Sequence, residues 1–186
     1  MSSQTIAVVV GSLRAASFTR RVAEAMIRLA PGAYAYEIVD IGQLPLYNQD
    51  LDTPEKTPAA WIEFRDRIRP NAGVLFATPE HNRLIPAALK NALDVGSRPY
   101  GHSAWAGKPA GVVSVTPGAM GGFGANHHLR QSLVFLNMPA MAQPEAYIGH
   151  AADLVADDFT VKVESTRAFL ANYMKAFETF VGKLAG

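Results

Sequence analysis

Thr5-Ile6-Ala7-Val8-Val9-Val10-Gly11-Ser12-Leu13-Arg14-Ala15-Ala16-Ser17-Phe18-Thr19-Arg20 decides how the chain is read. Ile6 to Val10 is an unbroken apolar run rich in β-branched residues, as expected of a strand buried on both faces of a parallel sheet, and Gly11 ends it. Ser17 suits a helix N-cap. After it Phe18, Val22, Ala25, Met26 and Leu29 recur at helical spacing until Pro31-Gly32 stops the pattern. A buried strand, a hydroxyl-rich turn and an amphipathic helix make the first βα unit.

The same unit repeats outward from there. Tyr36 to Ile41 predicts a second strand, followed by an irregular segment from Gly42 to Pro54. A helix with Trp61, Ile62, Phe64 and Ile68 inward then runs to Pro70. Gly73 to Ala77 is a third strand, and Pro86 opens the next helix. Ala110 to Val115 is a fourth strand, His127 to Leu136 a helix ended by Pro139, a fifth strand lies between Ala140 and Ile148, and Thr160 to Leu184 is the last helix. Strands that alternate with helices imply a parallel α/β sheet covered on both faces, because parallel neighbours need crossover connections.

At 186 residues with no internal repeat, low-complexity tract or linker, the chain is expected to form one domain over 1–186. Lys and Arg total 17 against 16 for Asp and Glu, so there is no basic field to hold a nucleic acid backbone. The absence of cysteine excludes disulfides, thiolate nucleophiles and Cys-ligated clusters. No basic leader and no apolar stretch of about 18 residues is present, so a cytoplasmic protein with no membrane partner is expected. His127 and His128 are adjacent and cannot chelate one metal from a helix, and no metal site is expected.

In an open α/β sheet, ligands bind beyond the carboxyl ends of the strands where strand order reverses. Three loops matter there. In Gly11 to Arg20, the hydroxyls of Ser12, Ser17 and Thr19, the Arg14 guanidinium and the free N–H groups opening the helix can converge on one anion. Ser17 reads equally as a simple cap. GxGxxG and GxxxxGK[ST] are both missing from this loop, which suits a monophosphate better than a dinucleotide or nucleoside triphosphate. Thr78-Pro79-Glu80-His81-Asn82-Arg83-Leu84-Ile85-Pro86 is a polar loop stiffened by its prolines, able to hold amides toward a planar ring. Thr116-Pro117-Gly118-Ala119-Met120-Gly121-Gly122-Phe123-Gly124 offers close backbone approach to a ring edge.

These loops, in this order, resemble the NAD(P)H-dependent FMN reductase family, whose pattern is close to GSxRxxSxNR, then TPEYNxSxPGxLKNAIDW, then a small-residue PG/GG loop. Here the first motif stands as Gly11-Ser12-Leu13-Arg14 with Ser17 and Arg20. The second stands as Thr78-Pro79-Glu80-His81-Asn82 with Pro86, Leu89-Lys90-Asn91-Ala92 and Asp94. Leu44-Pro45-Leu46-Tyr47-Asn48-Gln49-Asp50 and His128 to Leu136 look more narrowly like bacterial quinone and chromate reductases of that family.

The resemblance implies a flavodoxin-like three-layer sandwich with a five-stranded parallel sheet in the order 2-1-3-4-5. It implies FMN as cofactor, NADPH or NADH as co-substrate, and ping-pong reduction of small-molecule acceptors such as quinones, flavins, azo compounds or chromate. Ser12, Arg14, Ser17 and Thr19, with the Phe18 amide, would hold the FMN phosphate. Pro79, Glu80, His81 and Asn82 would line the isoalloxazine ring, and Thr116, Pro117 and Gly118 would meet the ring or ribityl chain. The flavin carries the chemistry, so no side chain is assigned as acid, base or nucleophile. A homodimer or homotetramer is also implied, with contacts around Tyr47 and on the helix after Gly124.

The sequence departs from the family pattern in having His81 for Tyr, Thr19 for Asn, Leu84 for Ser, Ala87 for Gly and Val95 for Trp. An imidazole can donate a hydrogen bond and titrate near neutrality, so His81 is the change best placed to alter flavin potential or acceptor choice. His81 and Arg83 at the rim bias the pocket toward anionic groups. Two other functions fit the residues: a non-enzymatic flavodoxin-type electron carrier, and a phosphatase using the cradle for its substrate. Electron carriers of that kind are usually strongly acidic, whereas this chain stands at +1. A phosphatase lacks an evident nucleophile in the first loop.

Overall fold

The computed structural model describes residues 4–184. Five strands, β1 (Thr5–Val10), β2 (Ala35–Val39), β3 (Gly73–Thr78), β4 (Ala110–Val115) and β5 (Ala146–Ile148), form one sheet in the order β2-β1-β3-β4-β5. All neighbours are parallel. The helices are α1 (Phe18–Leu29), α2 (Ala59–Ile68), α3 (Ala87–Gly96), α4 (Phe123–Phe135), α5 (Ala151–Leu154) and α6 (Glu164–Leu184). This is the expected flavodoxin-like three-layer arrangement.

The two-residue period of β1 divides its side chains between two cores. Ile6, Val8 and Val10 pack with Val22 and Met26 of α1 and with Tyr173 and Phe177 of α6. On the other face, Ala7 and Val9 pack with Trp61 and Phe64 of α2, Leu89 of α3 and Leu129 of α4. Each fully buried large aliphatic chain contributes about 1.5–3 kcal/mol, which is why the polar residues of β1 and β3 are confined to strand ends, Thr5 at the start of one and Thr78 at the end of the other. A buried carboxylate fastens α6 to the turn before β2. Glu178 accepts from the Tyr36 hydroxyl at 2.9 Å and from the Ala33 N–H at 3.2 Å, and burial together with this carboxylate holds the Tyr36 phenol far above the usual range.

Several element boundaries differ from the sequence expectation. β2 stops at Val39 because the Asp40 carboxylate accepts the Gly42 N–H at 2.9 Å and turns the chain away. The fifth strand shrinks to Ala146–Ile148, with Ala140 making only a lone bridge to Ala110, since Pro144 has no N–H to offer a ladder. α4 begins at Phe123 rather than His127, its first turn capped from the neighbouring loop. Val161, expected in the last helix, pairs with Val155 instead, and α6 begins at Glu164. The short α5 was not expected. Ile62 is 46% exposed, because its neighbour Trp61 takes the inward direction and adjacent helical positions diverge.

The irregular segment after β2 is held by side chains of α2 and α3. Asn91 donates from Nδ2 to the carbonyls of Leu44 and Pro45 at 3.2 and 3.0 Å and accepts the Tyr47 N–H at 2.8 Å. Trp61 donates to the Pro45 carbonyl at 2.9 Å. Asp52 and Arg65 form two parallel hydrogen bonds of 3.0 Å with side chains 5% and 4% exposed, and Arg65 Nε donates to the Val95 carbonyl. Removing one partner of such a pair strands a buried charge. Asp52→Ala is therefore expected to destabilise by about 3–5 kcal/mol in chemical denaturation, while replacing both residues by apolar ones recovers much of the loss; a cost below about 1 kcal/mol would show the pair to be incidental.

Candidate functional site

The winding reverses between β1 and β3, so the loops leaving these adjacent strands diverge over their carboxyl ends. The Gly11 N–H donates to the Ala77 carbonyl at 2.8 Å. A Cβ on Gly11 would meet Leu89 and Pro79 at 3.2 and 3.3 Å, so the two loops are in close contact at their base. Ser17 caps α1 by accepting the Arg20 N–H at 3.1 Å, leaving its own proton free to donate. Among the described residues, the backbone N–H groups from Ser12 through Thr19 have no acceptor, the hydroxyls of Ser12 and Thr19 have no partner, and Arg14 has no counter-ion. Ser17 and Thr19 are nevertheless buried. A run of donors with no acceptor, backed by a helix N-terminus and a free guanidinium, fits a phosphoryl group. A concavity of about 490 Å³ opens on the β2 side of this loop, lined by Ser12, Arg14, Arg20, Asp40 and Gln43.

The loop after β3 is a tight hairpin. His81 and Leu84 exchange both backbone hydrogen bonds at 2.9 Å, and the central Asn82 and Arg83 have φ of 51° and 70°. Positive φ at both positions marks a type I′ turn, which favours Asn-Gly. Asn82 tolerates this conformation, whereas Arg83 is strained there by about 1 kcal/mol. His81, Asn82 and Arg83 are exposed and Pro79 is half-buried. The Glu80 side chain is engaged within the protein. Its Oε2 accepts the Ala125 N–H at 3.0 Å, capping the first turn of α4, and its Oε1 lies 3.4 Å from Arg83 Nη1. The side chain thus ties the β3 loop to α4 and leaves only backbone to face the space above the sheet. Gly124 allows this approach, since a Cβ there would lie 2.7 Å from the Arg83 carbonyl oxygen.

The loop after β4 is braced from β5. Thr116 N–H donates to the Ile148 carbonyl at 2.9 Å, Thr116 Oγ1 to the Gly118 carbonyl at 3.0 Å, and the His150 N–H to that same carbonyl at 3.3 Å. Pro117 and Gly118 are exposed, and a Cβ on Gly118 would meet nothing within 4 Å. The fold therefore does not require glycine at 118. Sequence reasoning missed this bracing turn at Gly149-His150, although a glycine directly after β5 was an available signal, and it missed Met120, which contacts Arg83 at 3.6 Å.

The three loops thus bring a donor-lined turn, a tight hairpin and an exposed Pro117-Gly118 turn to one end of the sheet. The model of the NADPH-dependent FMN reductase family matches residues 4–153. The chain belongs to that family. It is an oxidoreductase that works with FMN and NAD(P)H. A quinone reductase of Pseudomonas putida is 58% identical over 177 residues, covering 95% of this chain and 94% of the relative. A 2-hydroxy-1,4-benzoquinone reductase of a Burkholderia species is 43% identical over 178 residues, covering 95% of each. The solved structure of FerB, a flavoenzyme NAD(P)H:(acceptor) oxidoreductase from Paracoccus denitrificans, is 38% identical, with a TM-score of 0.91 over 97% of this chain and 98% of that one. Among the described residues no helix is long and apolar enough to cross a membrane.

Because Glu80 caps α4 from another loop, Glu80→Ala is expected to cost about 1 kcal/mol in thermal unfolding. It should also raise amide hydrogen exchange across His81 to Leu84. Unaltered exchange there would mean that the carboxylate does not hold the turn.

Proposed function

We propose that this FMN reductase-family enzyme passes electrons from NAD(P)H to quinones. In this reading Ser12, Arg14, Ser17 and Thr19, with the Phe18 amide, grip the FMN phosphate. Pro79, Glu80, His81 and Asn82 support the isoalloxazine, Glu80 through its backbone, and Thr116, Pro117 and Gly118 meet the ring or ribityl chain. The observation that carries it is the row of unpaired N–H groups from Ser12 to Thr19 beside an unpaired Arg14. FMN supplies the hydride-accepting and electron-donating chemistry when bound. The protein's own part is positional. The overall reaction balances as NAD(P)H plus a proton plus quinone giving NAD(P)+ plus hydroquinone, so no side chain need be consumed.

The quinone assignment is supported by the names of the Pseudomonas and Burkholderia relatives. The two rival readings lose ground for the same reason, since those relatives are named as reductases. The same proposal takes residues 1–186 as one FMN-binding domain in the cytoplasm, working as a homodimer or homotetramer. Exposed Leu46 beside Tyr47 and exposed Phe135 on α4, at 78% and 83%, are the apolar surface for such contacts. Light scattering of the purified protein measures the state directly, and a monomer at micromolar concentration would remove that part.

Protein mixed with FMN and desalted should stay yellow, and should oxidise NAD(P)H with a soluble quinone and no added partner. Double-displacement kinetics are expected. Arg14→Ala should weaken FMN roughly tenfold while leaving riboflavin, which has no phosphate, little changed. Equal losses for both would remove the cradle assignment. Gly118→Val should leave thermal stability near that of the parent, because the added atoms enter open space, yet lower FMN affinity; unchanged affinity would place the flavin elsewhere.

A further inference from the structure

Glu80 is the only carboxylate within the three loops at the carboxyl ends of β1, β3 and β4, and those loops hold Arg14, Arg20, His81 and Arg83. Arg14 is committed to the phosphate cradle, and Arg20 faces Glu24 at 3.7 Å. Arg83 has no such employment. Its guanidinium lies between the β3 loop and Met120 of the β4 loop, 3.4 Å from Glu80 and 3.6 Å from the Met120 sulfur, with 72% of the side chain exposed. Glu80 gives its other oxygen to the Ala125 N–H, so it neutralises Arg83 only in part. The φ of 70° at this position suits glycine, and nothing in the packing calls for arginine. A strained residue whose side chain makes only these two loose, largely exposed contacts, standing at a site's mouth, points to a ligand.

We infer that Arg83 selects quinones that carry an ionised substituent, such as a deprotonated ring hydroxyl, over their neutral counterparts. The inference rests on the quinone-reductase reading. A 2-hydroxyquinone is a vinylogous carboxylic acid and is an anion at neutral pH, with its charge shared by two oxygens. A planar guanidinium presents paired N–H donors to the C2 oxide and the adjacent C1 carbonyl, and its charge attracts the delocalised anion. The flexible Met120 thioether beside it adapts to the ring without competing for the charge.

The test measures binding to the oxidised, FMN-loaded protein by calorimetry, with no turnover. The probes are 2-hydroxy-1,4-naphthoquinone and its neutral ether 2-methoxy-1,4-naphthoquinone. The parent protein should bind the hydroxy compound roughly tenfold more tightly than the ether, and added salt should narrow the gap. Arg83→Gln and Arg83→Gly should bring the ratio close to one, and Arg83→Lys should restore part of it. The glycine variant suits the turn, so its loss cannot be assigned to misfolding. A ratio that does not move in these variants overturns the proposal. So does a loss confined to NADPH affinity, which would give the guanidinium to the dinucleotide. Failure of the underlying reading shows earlier, as a parent protein that keeps no FMN.

Discussion

The parallel pairing of β1 with β3 is the constraint on which the rest depends. The chain leaves β1 toward β2 on one side and returns to lay β3 on the other, so two consecutive loops rise from neighbouring strands and part over them. The 2.8 Å bond from Gly11 to Ala77, and the contact of Gly11 with Pro79, fix how far apart their bases sit. The proposed phosphate cradle on one loop and the proposed ring-facing backbone of the other thereby acquire a set separation. The apolar faces of β1, covered by α1 and α6 on one side and α2 and α3 on the other, keep that pairing out of water.

Much of the remaining polar structure serves to hold loops rather than to meet ligand. Glu80 fastens the β3 loop to α4, Asn91 and Trp61 fasten Leu44 to Tyr47, and Asp52 with Arg65 closes the segment behind them. The Leu44–Asp50 and Leu89–Asp94 stretches, separate in sequence, meet through Asn91, which uses its whole amide on three backbone groups. A functional loop on such a scaffold loses little entropy on binding, because it was ordered beforehand.

How much of this was legible in sequence depended on the range of the forces involved. β1 and β4 were readable almost to the residue because burial on both faces writes a continuous apolar run. β5 was not, since Pro144 and the lone Ala140 bridge answer to tertiary packing and leave no periodicity. The start of α4 was missed because its cap is Glu80, more than a turn of sequence away and on another loop. Ser17 was found because the N–H it accepts, that of Arg20, lies three residues on. At the site, residue types and order picked out the loop whose donors stand unpaired, whereas the role of Glu80 and the bracing turn at Gly149-His150 required three-dimensional neighbours.

The positions at which the chain departs from local rules are unevenly placed. Along the sheet and helices propensity, pattern and packing agree, as they must for one structure to win over its competitors. At the carboxyl end of the sheet a run of amides lacks acceptors, a glycine faces empty space, and an arginine occupies a turn position that suits glycine. Each of these lowers the stability of the isolated protein or leaves it untouched, so stability does not account for them. Their collection at one end, over the strand pair where the winding reverses, is what a bound partner of matching shape and negative charge would explain in common.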